Sequence, residues 1–154
     1  MPIFSRFWVN PTSKSTDPDR LQQAGPVLQV EVAIPGRLAT HFSQTSTPIP
    51  PPQTGFALLD TGASITGVDV GILTALGVNP VSTVNVLTPS GQQQQSLYPC
   101  RISFPGTPIP ALDLNAVTGS QLAAQGLAVL IGRDLLRHFL IVYNGVDGLW
   151  TLSF

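Results

Sequence analysis

The sequence contains few charged residues. Only 10% of its 154 residues are Asp, Glu, Lys or Arg, and the formal net charge is −1. Proteins that bind nucleic acid or anionic membranes carry a concentrated positive charge, which this composition lacks. We therefore expect neither nucleic acid nor a membrane as a partner. The low charge also leaves much apolar surface to be covered, which favours a homodimer.

Cysteine is nearly absent. Cys100 is the single cysteine, so an intrachain disulfide and a cluster of metal-binding cysteines are both excluded. We expect Cys100 to be a small buried hydrophobe, since no histidine neighbours it in the sequence to activate the thiol. His41 and His138 also have no partners that would indicate a metal site or a catalytic triad. We therefore expect no metal and no organic cofactor.

Long apolar runs are missing as well. No run approaches the roughly 20 residues that span a bilayer. The first eight residues have no basic start followed by a long apolar stretch, so they do not resemble a secretory signal. These features predict a soluble, cytoplasmic protein with no transmembrane segment, although the sequence could be a piece cut from a longer precursor.

Turn-forming residues are abundant. The chain has 14 Gly and 15 Pro, and its apolar runs are short and often β-branched, which predicts an all-β fold. Residues 1–26 are predicted to be an N-terminal extension or linker in which an edge strand could form, and 27–154 to be one domain. Residues 38–55 are predicted to be a surface loop, because the proline run at 48–52 cannot donate ladder hydrogen bonds. That run could also be a ligand for a proline-binding partner.

Two motifs carry the chemistry. In the first, the apolar run 56–59 leads into Asp60, Thr61 and Gly62. A carboxylate beside a buried strand is costly unless hydrogen bonds or a proton offset its desolvation. In the second, the apolar run 127–131 leads through Gly132 into a short helix. Each motif alone is common, but the pair in this order is more specific.

Together these motifs resemble the retropepsin-like aspartic proteases, and the resemblance extends over most of residues 27–154. It implies a closed β-barrel or sandwich with one or two short helices and one lobe per chain, in the homodimeric branch of the family. It also implies that the hairpin at about 81–102 is a flap over the substrate. Three groups of residues take their roles from it: catalytic Asp60; the turn and its supports Thr61, Gly62, Ala63, Ser64, Gly132, Arg133 and Asp134; and the flap residues Pro89, Ser90 and Gly91.

Two positions depart from the family pattern or refine it. In relatives the arginine often pairs with an acidic residue just after the turn, but Ser64 occupies that position here. Asp134 could instead cap the helix. Many acid-acting relatives have Ser where this chain has Ala63, and Ala cannot donate a hydrogen bond to the catalytic carboxylate. We therefore expect activity in mildly acid rather than strongly acid conditions.

The implied activity is that of an aspartic endopeptidase acting on extended, apolar-preferring peptide segments. One carboxylate cannot serve as both acid and base, so a C₂ dimer would bring two copies of Asp60 together to share a proton. Two alternatives remain. The chain could be a catalytically silent retropepsin-like module that dimerises and binds peptides. It could also be an unrelated β-barrel interaction domain in which Asp60 only caps a turn.

Overall fold

A computed structural model describes residues 2–88 and 91–154 of the chain. Within these residues the α-helices are α1 (Pro18–Ala24), α2 (Gly36–Gln44), α3 (Val70–Ala75) and α4 (Arg133–Leu136). The strands are β1 (Ile3–Phe7), β2 (Val27–Ala33), β3 (Gln53–Leu59), β4 (Gly67–Asp69), β5 (Ser82–Thr88), β6 (Gly91–Ser103), β7 (Leu112–Ser120), β8 (Val129–Ile131), β9 (Leu140–Asn144) and β10 (Leu149–Ser153). One 3₁₀ turn spans Ala123–Gln125. The predicted all-β fold with short helices is confirmed.

The larger sheet closes on itself. Its strand order is β2-β3-β8-β4-β7-β6-β5, and β2 also pairs with β6. Six strands therefore form a ring, and β5 extends from it through its antiparallel pairing with β6. The β3–β8 pair is parallel, and this pairing places the ends of the two apolar runs seen in the sequence side by side.

Alternating apolar residues make the core. On β2, Leu28, Val30 and Val32 are fully buried, while the intervening Gln29 is exposed. This is the period-two pattern of a strand with one buried face, as the sequence predicts. Val129 and Ile131 from β8 join the same core, which anchors the strand that precedes Gly132.

The chain ends lie in a separate three-stranded sheet of order β1-β10-β9. An apolar strand that ends at the last residue of a single chain would be expected to form an exposed edge. That expectation is wrong, because β10 is the central strand and pairs with a neighbour on each side. Trp150 and Leu152 of β10 point into the core, which accounts for the apolar end of the sequence.

Two segments are more ordered than predicted. The expected surface loop at 38–55 begins instead as α2, whose Leu38 and Phe42 pack against the core one helical turn apart. In the N-terminal segment, predicted to be an extension or linker, Asp17 caps α1 and Leu21 is fully buried. With α1 and α2, the described residues contain more helices than the one or two predicted. The domain boundary at residue 27 stays a prediction.

The β5–β6 pair forms a long antiparallel hairpin, with Ser82 opposite Leu97 at its base. Its position agrees with the hairpin predicted at about 81–102, and its role as a flap stays a prediction. Two of the predicted flap residues, Pro89 and Ser90, lie outside the described residues. Among the described helices, none is long and apolar enough to cross a membrane.

Candidate active site

The carboxylate of Asp60 is held by its own turn. The backbone N–H of Asp60 donates to the carbonyl of Ile131 at 2.9 Å, and this bond fixes the end of β3 beside β8. Its Oδ1 accepts hydrogen bonds from the backbone N–H groups of Gly62 at 2.8 Å and Ala63 at 3.3 Å. A Cβ on Gly62 would lie 3.0 Å from the same Oδ1. Glycine therefore lets the turn wrap closely around a half-buried carboxylate.

Arg133 supports this turn from behind. Its backbone N–H donates to the carbonyl of Ala63 at 2.9 Å. Its Nη1 donates to the carbonyls of Thr61 at 2.7 Å and Gly62 at 3.1 Å. The guanidinium thus bonds the turn's own carbonyl oxygens, where the resemblance would imply an ion pair. With serine at position 64, the guanidinium still contacts the turn, and none of its partners among the described residues is a carboxylate.

Asp134 joins α4 to the strand that follows the turn. Both of its carboxylate oxygens accept from the backbone N–H of Thr66, at 2.9 and 3.0 Å, and Oδ1 also accepts from Thr66 Oγ1 at 2.8 Å. Thr66 Oγ1 in turn accepts from the N–H of Gly132 at 3.1 Å. The N–H of Leu135 also donates to Asp134 Oδ1. The predicted helix cap is wrong, because Asp134 lies inside α4 and the N-cap residue is Gly132, which makes no side-chain cap bond. The role of Asp134 is instead its bond to Thr66.

Thr66 is a supporting residue that was not among the predicted site residues. Its side chain is fully buried and links Asp134 to Gly132 through one hydroxyl. The available signal was a threonine in an otherwise apolar stretch just after the turn, since a buried hydroxyl requires partners.

Gly132 lies where two backbones meet. A Cβ at this position would lie 2.6 Å from the carbonyl carbon of Ile65 and 2.8 Å from its oxygen. Such a distance is shorter than any normal contact, so only glycine lets β8 turn into α4 here. The second sequence motif is therefore explained by packing against the first.

A cavity of about 350 Å³ opens in front of Asp60. The predicted turn residues Gly62, Ala63 and Ser64 line it, while Thr61 and Gly132 do not. The opposite wall comes from the β5–β6 hairpin and from β7. The remaining lining residues are Ile65, Gly67, Val86, Leu87, Gln95, Thr118, Ser120 and Leu130. Gly91 is described, with a φ of +111° at the start of β6, but it does not line this cavity.

Asp69 is a buried carboxylate with a structural role. Its Oδ1 caps α3 through the N–H of Gly71, and its Oδ2 accepts from Leu122 and Ala123 at 2.9 and 2.8 Å. Burial alone would raise the pKa of Asp69, but the backbone N–H donors outweigh it and lower the pKa. Asp69 therefore stays ionised and joins β4 to the 3₁₀ turn.

The remaining chemical groups offer no second centre in the part of the chain that the structure describes. Cys100 is fully buried, as predicted, and burial, with a smaller effect of the Asp113 charge, raises the pKa of its thiol to about 12. A thiol with that pKa is not a nucleophile at neutral pH. No group of three or more His, Cys, Asp or Glu side chains comes together as a metal site among the described residues.

Comparison with known proteins gives a structural likeness and no close relative. No family model matches the chain, and no curated protein matches it. Among solved structures, the chain is similar to the solution structure of the protease of simian foamy virus (mac). The two share 20% sequence identity, the match covers 73% of this chain and 92% of that chain, and the TM-score is 0.44. At this identity and TM-score, the likeness does not decide what this chain does.

Proposed function

We propose that the protein is an aspartic endopeptidase of the retropepsin type, with Asp60 as its catalytic residue. The observation that carries the proposal is the placement of Asp60. Its carboxylate is held by two backbone N–H groups at the mouth of a cavity, on a turn tied to β8 and α4. A turn that served only as a cap would not need to face a cavity of about 350 Å³ beneath a hairpin.

The reaction needs a second carboxylate. Of the described residues around the cavity, Asp60 alone carries one. In a C₂ homodimer the two copies of Asp60 would meet at the axis and share one proton, because two close carboxylates do not both ionise easily. The ionised member takes a proton from water while the protonated member polarises the scissile carbonyl. This chemistry uses no metal or organic cofactor.

The terminal sheet offers apolar surface that a second copy would bury. The register of β1, β10 and β9 places Ile3, Phe7, Leu140 and Val142 on one face, and these side chains are 47–62% exposed. Apolar residues clustered on one sheet face are typical of an interaction surface. Replacing Val142 with Lys should weaken the dimer and lower specific activity at low protein concentration. Val146→Lys, in a neighbouring exposed turn, is the control that should leave both unchanged.

The direct test compares the wild type with Asp60→Asn on a mixed peptide library between acid and neutral pH. Asp19→Asn makes the same charge change at an exposed site and serves as the matched control. We expect cleavage by the wild type and by Asp19→Asn, and none by Asp60→Asn. No cleavage by any of the three, at concentrations where the dimer is verified, would refute the protease and favour the silent peptide-binding module.

A further inference from the structure

The inner wall of the cavity beside Asp60 is polar. Thr118 and Ser120 lie on β7 with their hydroxyl oxygens 3.3 Å apart. Both hydroxyls lie directly over Gly67, where an added Cβ would meet Ser120 Oγ at 2.8 Å and Thr118 Oγ1 at 3.1 Å. Gly67 thus leaves room for two hydroxyls inside a cavity whose other walls are mostly aliphatic.

The hydrogen-bond network orients these hydroxyls. Thr118 Oγ1 donates to the backbone carbonyl of Thr66 at 3.4 Å. With its proton directed there, the oxygen of Thr118 can accept the proton of Ser120, which is one of the two directions that their 3.3 Å contact allows. This leaves the lone pairs of Ser120 Oγ as a free acceptor at the cavity wall. With this orientation, a ligand group that meets Ser120 Oγ acts as the hydrogen-bond donor.

Gln95 contributes the complementary groups from the hairpin. Its side chain is half-buried, lines the same cavity and makes no hydrogen bond to a described residue. A primary amide has both donors and an acceptor. The neighbouring Gln94 differs, because it is exposed, does not line the cavity and donates to Thr83 on β5.

We propose that this wall is a specificity subsite for a Gln or Asn side chain of the substrate, close to the cleaved bond. The substrate's amide N–H₂ donates to Ser120 Oγ, and its amide oxygen accepts from Gln95. The methylene stem packs against Ile65, Val86 and Leu130, which line the cavity beside the polar groups. The inference rests on the proposed protease function and names a substrate feature that the aliphatic walls alone would not select.

The test uses paired peptides that differ only in having Gln or Met at each position around the cleaved bond. Met matches the length of Gln without its hydrogen bonds. At one position we expect the wild type to prefer Gln by about tenfold in kcat/KM, because two buried hydrogen bonds are lost with Met. Ser120→Ala and Gln95→Leu should each reduce that ratio severalfold, whereas Gln94→Leu should keep it. Equal or better cleavage of Met peptides by the wild type would overturn the inference, as would a preference that survives both substitutions.

A binding measurement separates this inference from the proposed function. Asp60→Asn should bind uncleaved Gln peptides more tightly than Met peptides, and the further change Ser120→Ala should remove the difference. If the wild type cleaves nothing but this preference is present, the protease proposal fails and the subsite stands. If cleavage occurs without any preference in rate or binding, the subsite fails and the protease stands. Absence of both cleavage and preference would refute both.

Discussion

Replacing Thr66 with Val tests how the active-site turn is held. Val has nearly the same shape as Thr, so packing in this fully buried position should change little. The substitution removes the 2.8 Å bond from Oγ1 to the Asp134 carboxylate and the 3.1 Å bond from the Gly132 N–H. A hydrogen bond to a charged group contributes about 1.5–3 kcal/mol, and a buried N–H left unpaired costs about 1–3 kcal/mol. We therefore expect a loss of about 3 kcal/mol in the free energy of unfolding.

The assay is urea unfolding at one fixed protein concentration, since the proposed dimerisation would make stability concentration-dependent. Thr74→Val is the matched control, because Thr74 lies on an exposed helix face and its hydroxyl donates to the carbonyl of Val70 within the same helix. The Thr74→Val substitution should change the free energy of unfolding by no more than about 0.5 kcal/mol. In a double-mutant cycle, Thr66→Val and Asp134→Asn should couple by about 1 kcal/mol or more. A Thr66→Val protein as stable as the wild type, or strictly additive effects, would refute the role assigned to this hydroxyl.

Three further predictions follow from buried or positioning groups. Asp69→Asn should destabilise the protein by about 1–3 kcal/mol near neutral pH, and the difference from wild type should shrink below about pH 4 in acid-unfolding curves. The direction of this pH dependence follows from the lowered pKa of Asp69 in the folded protein. The ionised carboxylate stabilises the fold above the unfolded-state pKa of about 3.9, and this stabilisation is lost as the pH falls through the folded-state pKa. Cys100 should react with a thiol reagent only at the rate of unfolding, because it is fully buried with a pKa of about 12. Arg133→Met should lower kcat clearly while changing the free energy of unfolding little, since the exposed guanidinium donates to two carbonyls of the active-site turn.

Each of these predictions has an outcome that would contradict it. An Asp69→Asn difference that grows on acidification would reverse the assigned sign. Rapid labelling of Cys100 in the folded protein, with unfolding shown to be slow, would contradict its burial. Equal activity of Arg133→Met and wild type at saturating substrate would show that the guanidinium does not position the turn.

The sequence predicted the parts of the fold that depend on local patterns. The alternation on β2 and the apolar runs before Asp60 and Gly132 each predicted the observed strands, because burial of one face or of a whole strand leaves a readable pattern. What those positions contact across the fold was not readable.

The missed features all depend on contacts between distant parts of the chain. The bond from Thr66 to Asp134 joins residues 68 positions apart, and nothing local indicates it. β10 became a central strand because β1, from the other end of the chain, pairs with it. The proline run at 48–52 led to the prediction of a loop over 38–55 and not of α2. The stability of α2 comes from Leu38 and Phe42 packing on the core rather than from local propensity.

The central claim is that two copies of Asp60 form one active site. It is tested most directly by mixing wild type with Asp60→Asn at constant total protein concentration, after subunit exchange is complete, and measuring peptide cleavage. If the site is shared and one asparagine inactivates it, only wild-type pairs are active. An equal mixture then retains about one quarter of the wild-type rate. A mixture that retains about one half would show that each chain carries its own complete site, and would contradict the account.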